Sequence, residues 1–281
     1  MRYLILIMML FSFSFAFEAK AGSSDVKAGI AAHKALYSID LVSSKSGSGL
    51  SDISGKMYYE IGKNCDSWTS KHRFDVNYQY TEEPSVRVTS DFSNLETFDG
   101  SSFDFNVTRK SNEQLYEEVR GRAEINGADG SKILYTLPSP QEITLTADTL
   151  FPMMHTIKTI EHILKGDHFY NATVFDGTDD KGAVEINAFI GKAATLGEAA
   201  IPEQIDQTML QSPAHHLQMA FYPVESGEEN PDYEMDLVLH NNGVVRDITM
   251  HYPDFSLHQE LIALEKTPDG DTASACTQNV Q

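Results

Sequence analysis

Arg73-Phe74-Asp75-Val76-Asn77-Tyr78-Gln79-Tyr80 alternates polar and apolar residues without a break. A period of two puts Phe74, Val76, Tyr78 and Tyr80 on one face of an extended chain. Arg73, Asp75, Asn77 and Gln79 fall on the other, as a strand with one dry and one wet side requires. The same rhythm runs through Ala35, Tyr37, Ile39 and Leu41, through Gly55, Met57, Tyr59 and Ile61, and through Phe103, Phe105 and Val107. Buried parallel strands read as continuous apolar runs, so these segments predict antiparallel pairing.

Turn chemistry falls between the segments. Asn241-Asn242-Gly243 divides Met235–Leu239 from Val244–Met250, and Asn-Gly supplies the positive φ angles of a tight hairpin. Asn126-Gly127 with Asp129-Gly130, and Asp176-Gly177 with Asp179-Asp180-Lys181-Gly182, punctuate two further pairs. The segments number about fourteen, spaced as in an all-β barrel or sandwich. One stretch departs from the pattern and predicts a helix of about fourteen residues. Thr149 is its candidate cap, Pro152 suits its first turn, and Gly166 stops it. Met153, Ile157, Ile160 and Leu164 form its apolar stripe, widened by Met154 and Ile163, and are expected to pack across the open end or concave face of the sheet. Ser43–Ser51 and Leu196–Gln211 are the expected mobile loops. No Pro/Gly-rich linker divides residues 22–281, which read as a single domain.

Residues 1–21 carry an address. Arg2 leads an apolar run from Tyr3 to Phe17, and Ala19-Lys20-Ala21 offers the small residues a signal peptidase reads. The run is about 15 residues, short of the roughly 20 that span a bilayer. An exported, non-spanning protein beginning near Gly22 is expected. Cleavage leaves 260 residues, and the net charge moves from −20 to −21. So acidic a chain argues against nucleic acid, whose phosphates need clustered lysine and arginine, and against adhesion to anionic lipid.

Cys65 and Cys276 are the two cysteines. In an oxidising compartment an even pair points to a disulfide, here enclosing 210 intervening residues. The competing reading is two free thiols, one of them catalytic, which needs an activating base and a shielded site. Cys276 lies in a polar tail, Thr272-Ala273-Ser274-Ala275-Cys276-Thr277, which favours the bridge.

Chemistry is not visible in the motifs. Ten histidines include His155 and His162 on one side of the helix, but two turns hold them about 10 Å apart, too far to share one ion unaided. His215 and His216 point to opposite faces of a strand. There is no H-E-x-x-H, paired-cysteine zinc spacing, G-x-S-x-G elbow, P-loop or dinucleotide fingerprint. Carboxylate pairs such as Glu117-Glu118, Asp179-Asp180 and Glu228-Glu229 read as solvated faces and turns in a chain this acidic. No metal, cofactor or catalytic residue is therefore assigned.

The chain as a whole resembles the EipB family of periplasmic cell-envelope integrity proteins of α-proteobacteria, long a domain of unknown function. The likeness rests on Ala32-His33-Lys34-Ala35-Leu36-Tyr37, Gly55-Lys56-Met57-Tyr58-Tyr59-Glu60 and Glu118-Val119-Arg120-Gly121. It continues through Phe151-Pro152 with His155, Val174-Phe175-Asp176-Gly177, Asn242 to Met250, and Tyr252 with Asp254-Phe255. The resemblance implies an antiparallel β-spiral, or open barrel, of about fourteen strands. It also implies a disulfide matching Cys65 and Cys276, a periplasmic home and a role in envelope integrity under stress. A link to a periplasmic tetratricopeptide-repeat protein is implied too. No catalytic residues carry over.

Two functions follow as expectations. The first is a non-enzymatic periplasmic protein that binds another periplasmic protein. The second is a carrier of lipid or another amphiphile in the concave face of the sheet. Pro152, Met153, Met154, His155 and Ile157, at the start of the helix, are the expected ligand or partner surface.

Overall fold

The computed structural model describes residues 23–126, 130–195, 201–224 and 230–268. The leader, the turn at Gly127–Asp129, the Glu228-Glu229 pair and Cys276 with its tail lie outside the described residues.

A short helix, α1 (Ser23–Gly29), precedes β1 (His33–Ser44), β2 (Leu50–Lys63), β3 (Ser67–Tyr80), β4 (Val86–Thr97) and β5 (Ser102–Ser111). Next come β6 (Gln114–Glu124), β7 (Ser131–Leu137), β8 (Gln141–Leu145) and the helix α2 (Pro152–Lys165). β9 (Phe169–Val174), β10 (Val184–Ala194), β11 (Ala214–Pro223), β12 (Tyr233–His240), β13 (Val245–His251) and β14 (Phe255–Lys266) complete the order. All belong to one 14-stranded antiparallel sheet, ordered 8-7-6-5-4-3-2-1-14-13-12-11-10-9. The first and last strands therefore pair in the middle, and the two edges, β8 and β9, are consecutive in the chain with α2 between them.

The edges do not hydrogen-bond to each other, so the barrel is open. Leu150, just before α2, instead forms a parallel bridge with Val174 and covers part of the β9 edge. The β9–β10 loop folds over the opposite end of the sheet. Arg109 donates to the carbonyl of Thr178 at 2.8 Å, and the Tyr135 hydroxyl donates to that of Asp179 at 3.2 Å. The gap is bridged by two loop segments, where a closed barrel would use strand pairing.

The inward faces are those the alternation predicts. Tyr37 stands opposite Met57, Met57 opposite Phe74, and Gly55 opposite Val76. Gly55 and Val76 approach so closely that a Cβ on Gly55 would lie 2.8 Å from the Cα of Val76. The Asn242-Gly243 hairpin forms as expected, with Gly243 at φ +85°.

Of the two placements expected for α2, the concave face is the one found. Ile157, Thr159 and Ile160 are all fully buried although they point to different sides, so the helix runs inside the curled sheet. Each of those isoleucines contributes about 1.5–3 kcal/mol by leaving water. The stripe ends earlier than expected: Leu164 is 41% exposed, because the last turn emerges from the shell while Ile163 stays within.

The long loops also differ from expectation. β1 and β2 continue through Ser44 and from Leu50, leaving only Lys45–Gly49 as a turn. Residues 196–200 lie outside the described set, but 201–211 is packed. Ile205 bridges to Leu264, and Met209 and Leu210 are buried in the main core beside a 3-10 turn, Met209–Gln211. Three irregularly spaced apolar residues suffice to seal this segment down, a pattern that no periodicity reports.

Candidate functional site

A hollow of about 290 Å³ lies inside the shell, between the first turn of α2 and the inward faces of β1–β3 and β12–β14. Met57, Met153, Met235 and Met250 line it, with Tyr59, His72 and Gln259. Strand register assembles them: Tyr59 stands opposite His72, and Met235 opposite Met250. Unbranched thioether side chains are pliable, so methionine walls adapt to an occupant where branched residues would not.

The polar groups of the hollow are few and uncharged. Tyr37 sends its hydroxyl to the Val245 carbonyl at 2.7 Å, and burial drives its pKa upward. Tyr59 shifts the same way, first by burial and then by the nearby Glu96 carboxylate. His72 packs edge-on against Tyr59 with ring centroids 4.7 Å apart, and burial pulls it down to about 4, leaving a neutral imidazole. Among the described residues, no lysine, arginine, aspartate or glutamate lines the hollow.

The start of α2 is fixed from a distant strand. Phe151 occupies the cap position and offers no side-chain acceptor, while Pro152 opens the helix as expected. The expected cap, Thr149, faces Thr146 at 2.9 Å instead. Glu96, on the inner face of β4, takes its place: Met153 and Met154 donate backbone N–H groups to its two oxygens at 2.7 and 2.8 Å. The carboxylate is 1% exposed. Burial raises its pKa to about 7, against the lowering effect of the two N–H bonds and of Lys27. Such a cap has no local sequence signal, since its donor and acceptor are 57 residues apart.

The five residues expected to share one surface are divided. Met153 faces the hollow, Met154 packs on Gly100, and Ile157 is in the core. His155 stacks on Tyr170, which also stacks on His162 at 4.1 Å, so one tyrosine joins the two helical histidines. Neither histidine approaches the hollow, and Pro152 simply starts the helix. Gln259, His72 and Met235 also line the hollow, and no sequence motif marks them. Their only signal is a polar or thioether side chain at an inward strand position. No group of three metal-ligating side chains occurs among the described residues. No helix of the described residues is long and apolar enough to cross a membrane. Cys65 sits in the turn between β2 and β3, where Asn64 donates to the Ser67 carbonyl at 2.8 Å.

On the outside, Phe169 and Phe189 form an exposed aromatic pair at the β9 edge, with ring centroids 5.1 Å apart.

An open antiparallel shell, curled around its own helix and enclosing an apolar hollow, defines a β-barrel-like protein. The chain belongs to the EipB-like family, whose sequence model matches residues 24–268. It is 29% identical over 267 residues to the cell envelope integrity protein EipB of Brucella abortus, covering 92% of each chain. It is also similar to the crystal structure of a β-barrel-like protein of the domain of unknown function DUF1849 from Brucella abortus. The TM-score is 0.79 at 25% identity, over 85% of this chain and 99% of that one.

Proposed function

We propose that this chain is a periplasmic, non-catalytic binding protein that supports the integrity of the cell envelope, taking an amphiphile into its hollow. The observation that carries the binding mode is the methionine-lined hollow at the start of α2. The biological role is supported by family membership and by the name of the Brucella relative. The leader at residues 1–21 supports the address. A deletion strain tests the role: it should lose resistance to deoxycholate, regain it with the full chain, and not regain it with a chain lacking residues 2–21. Undiminished resistance in the deletion strain overturns it.

A second reading is favoured by the Phe169–Phe189 pair. An exposed aromatic pair formed by the edge strand and its neighbour fits a protein partner, and a tetratricopeptide-repeat protein is the one the family likeness implies. Replacing both phenylalanines with serine should abolish co-purification of that partner. Unchanged recovery removes this surface from consideration.

A further inference from the structure

One residue of the hollow fits neither a simple core nor a simple pocket. Along the inner face of β14 the side chains run Leu257, Gln259, Leu261. Gln259 interrupts the leucines and is 3% exposed. Its Oε1 accepts no hydrogen bond among the described residues, and its Nε2 donates only to the Met250 thioether, at 3.3 Å. A buried amide left in this state is destabilising, and a leucine at the same place would carry no such penalty. The amide lines the hollow, so its missing partner is one the hollow can admit.

We propose that Gln259 is the recognition point for a neutral, single-chain amphiphile bearing a hydroxyl or amide N–H, with its alkyl part among the methionines. The proposal rests on the amphiphile reading above and names the ligand class. Three features choose this class. The vacant acceptor, Oε1, requires a donor on the ligand. With no charged lining residue among the described residues, a carboxylate or ammonium head has no counter-ion there, at the cost of burying a bare charge. The volume, about 290 Å³, lies at the small end of ligand cavities, which suits one short chain and not a two-chain lipid. His72, neutral and in the same wall, offers a second uncharged partner for the head.

Calorimetric titration of the mature chain with 1-octanol, octanoate and 1-methoxyheptane tests this. The ether matches the alcohol in size but carries no donor. The alcohol should bind about tenfold or more tightly than either analogue. Gln259→Leu should lower alcohol affinity about tenfold, leave the ether unchanged and raise the thermal midpoint, since it removes an unsatisfied group. A merely structural glutamine would show the opposite stability change. Equal binding of alcohol and ether assigns the amide to a trapped water and overturns the proposal, while the amphiphile reading survives. No binding of any of the three probes overturns both.

Discussion

The two interiors of this one sheet are built differently. At the β5–β8 end, Phe103 stacks on Phe151 at 5.1 Å, and Phe105 meets Phe175 edge-on at 5.2 Å and Tyr135 at 5.5 Å. These rings form their own core, locked by the β9–β10 loop. Around β1–β3 and β12–β14, the same inward positions hold methionines, tyrosines and a glutamine, and a hollow remains. In both halves the inward faces come from antiparallel strands of the same sheet. Rigid rings interlock and fix a shape, whereas flexible thioethers close on whatever is present. Inner-face composition therefore decides which half is a fastening and which keeps a hollow.

The largest expected effect is covalent. If Cys65 is tied to Cys276, reduction loosens the rim of the hollow half at the β2–β3 turn, costing about 5 kcal/mol by the chain-entropy model. Thermal melts with and without reductant should differ, and residues 268–275 should become protease-sensitive on reduction. Coincident melts dismiss the bridge. Next comes packing. Phe103→Ala should cost about 3–5 kcal/mol, whereas Met57→Ala beside the hollow should cost only about 2, because open space already borders that side chain. Denaturant unfolding checks both, and similar costs would erase the contrast between the halves.

Protonation makes a finer comparison, between two groups beside the hollow, at about 3 kcal/mol per group. Glu96 is raised from its ordinary 4.5 to about 7, so its contribution is full below pH 4.5 and lost as pH rises through 7. His72 is lowered from 6.5 to about 4, so its contribution is full above pH 6.5 and lost as pH falls through 4. Relative to wild type, Glu96→Gln should gain stability between pH 5 and 7.5, and His72→Asn should gain it between pH 6.5 and 4.5. Parallel pH profiles for wild type and variants contradict these assignments. Gly177→Ala is a smaller probe of the fastening. Gly177 sits at φ +70°, and an added Cβ would lie 2.7 Å from the Phe105 side chain, for a cost of about 2 kcal/mol in the same unfolding assay. The smallest effect belongs to Phe169→Ser with Phe189→Ser, which should shift stability by under about 0.5 kcal/mol per site, because both rings are exposed.

Several features were legible without coordinates. Alternation through Phe74, Val76 and Tyr78 gave the strands and their dry face, Asn242-Gly243 gave a hairpin, and Pro152 and Gly166 bounded the helix. Each depends on residues within a few positions of one another. The cap was misread at Thr149 because Glu96 reaches α2 from another strand. Met153, Met154 and His155 have different surroundings because successive helical residues lie about 100° apart around the axis.

Local periodicity thus determined that this chain would make many antiparallel strands and one main helix, since pleat and helical pitch act over two to four residues. Only the tertiary structure decided that the end strands meet in the middle, that the helix runs within, and that Gln259 looks into a hollow. Those outcomes come from contacts between residues remote along the chain, and side-chain volume, not periodicity, determines whether such contacts fill the space or leave it open.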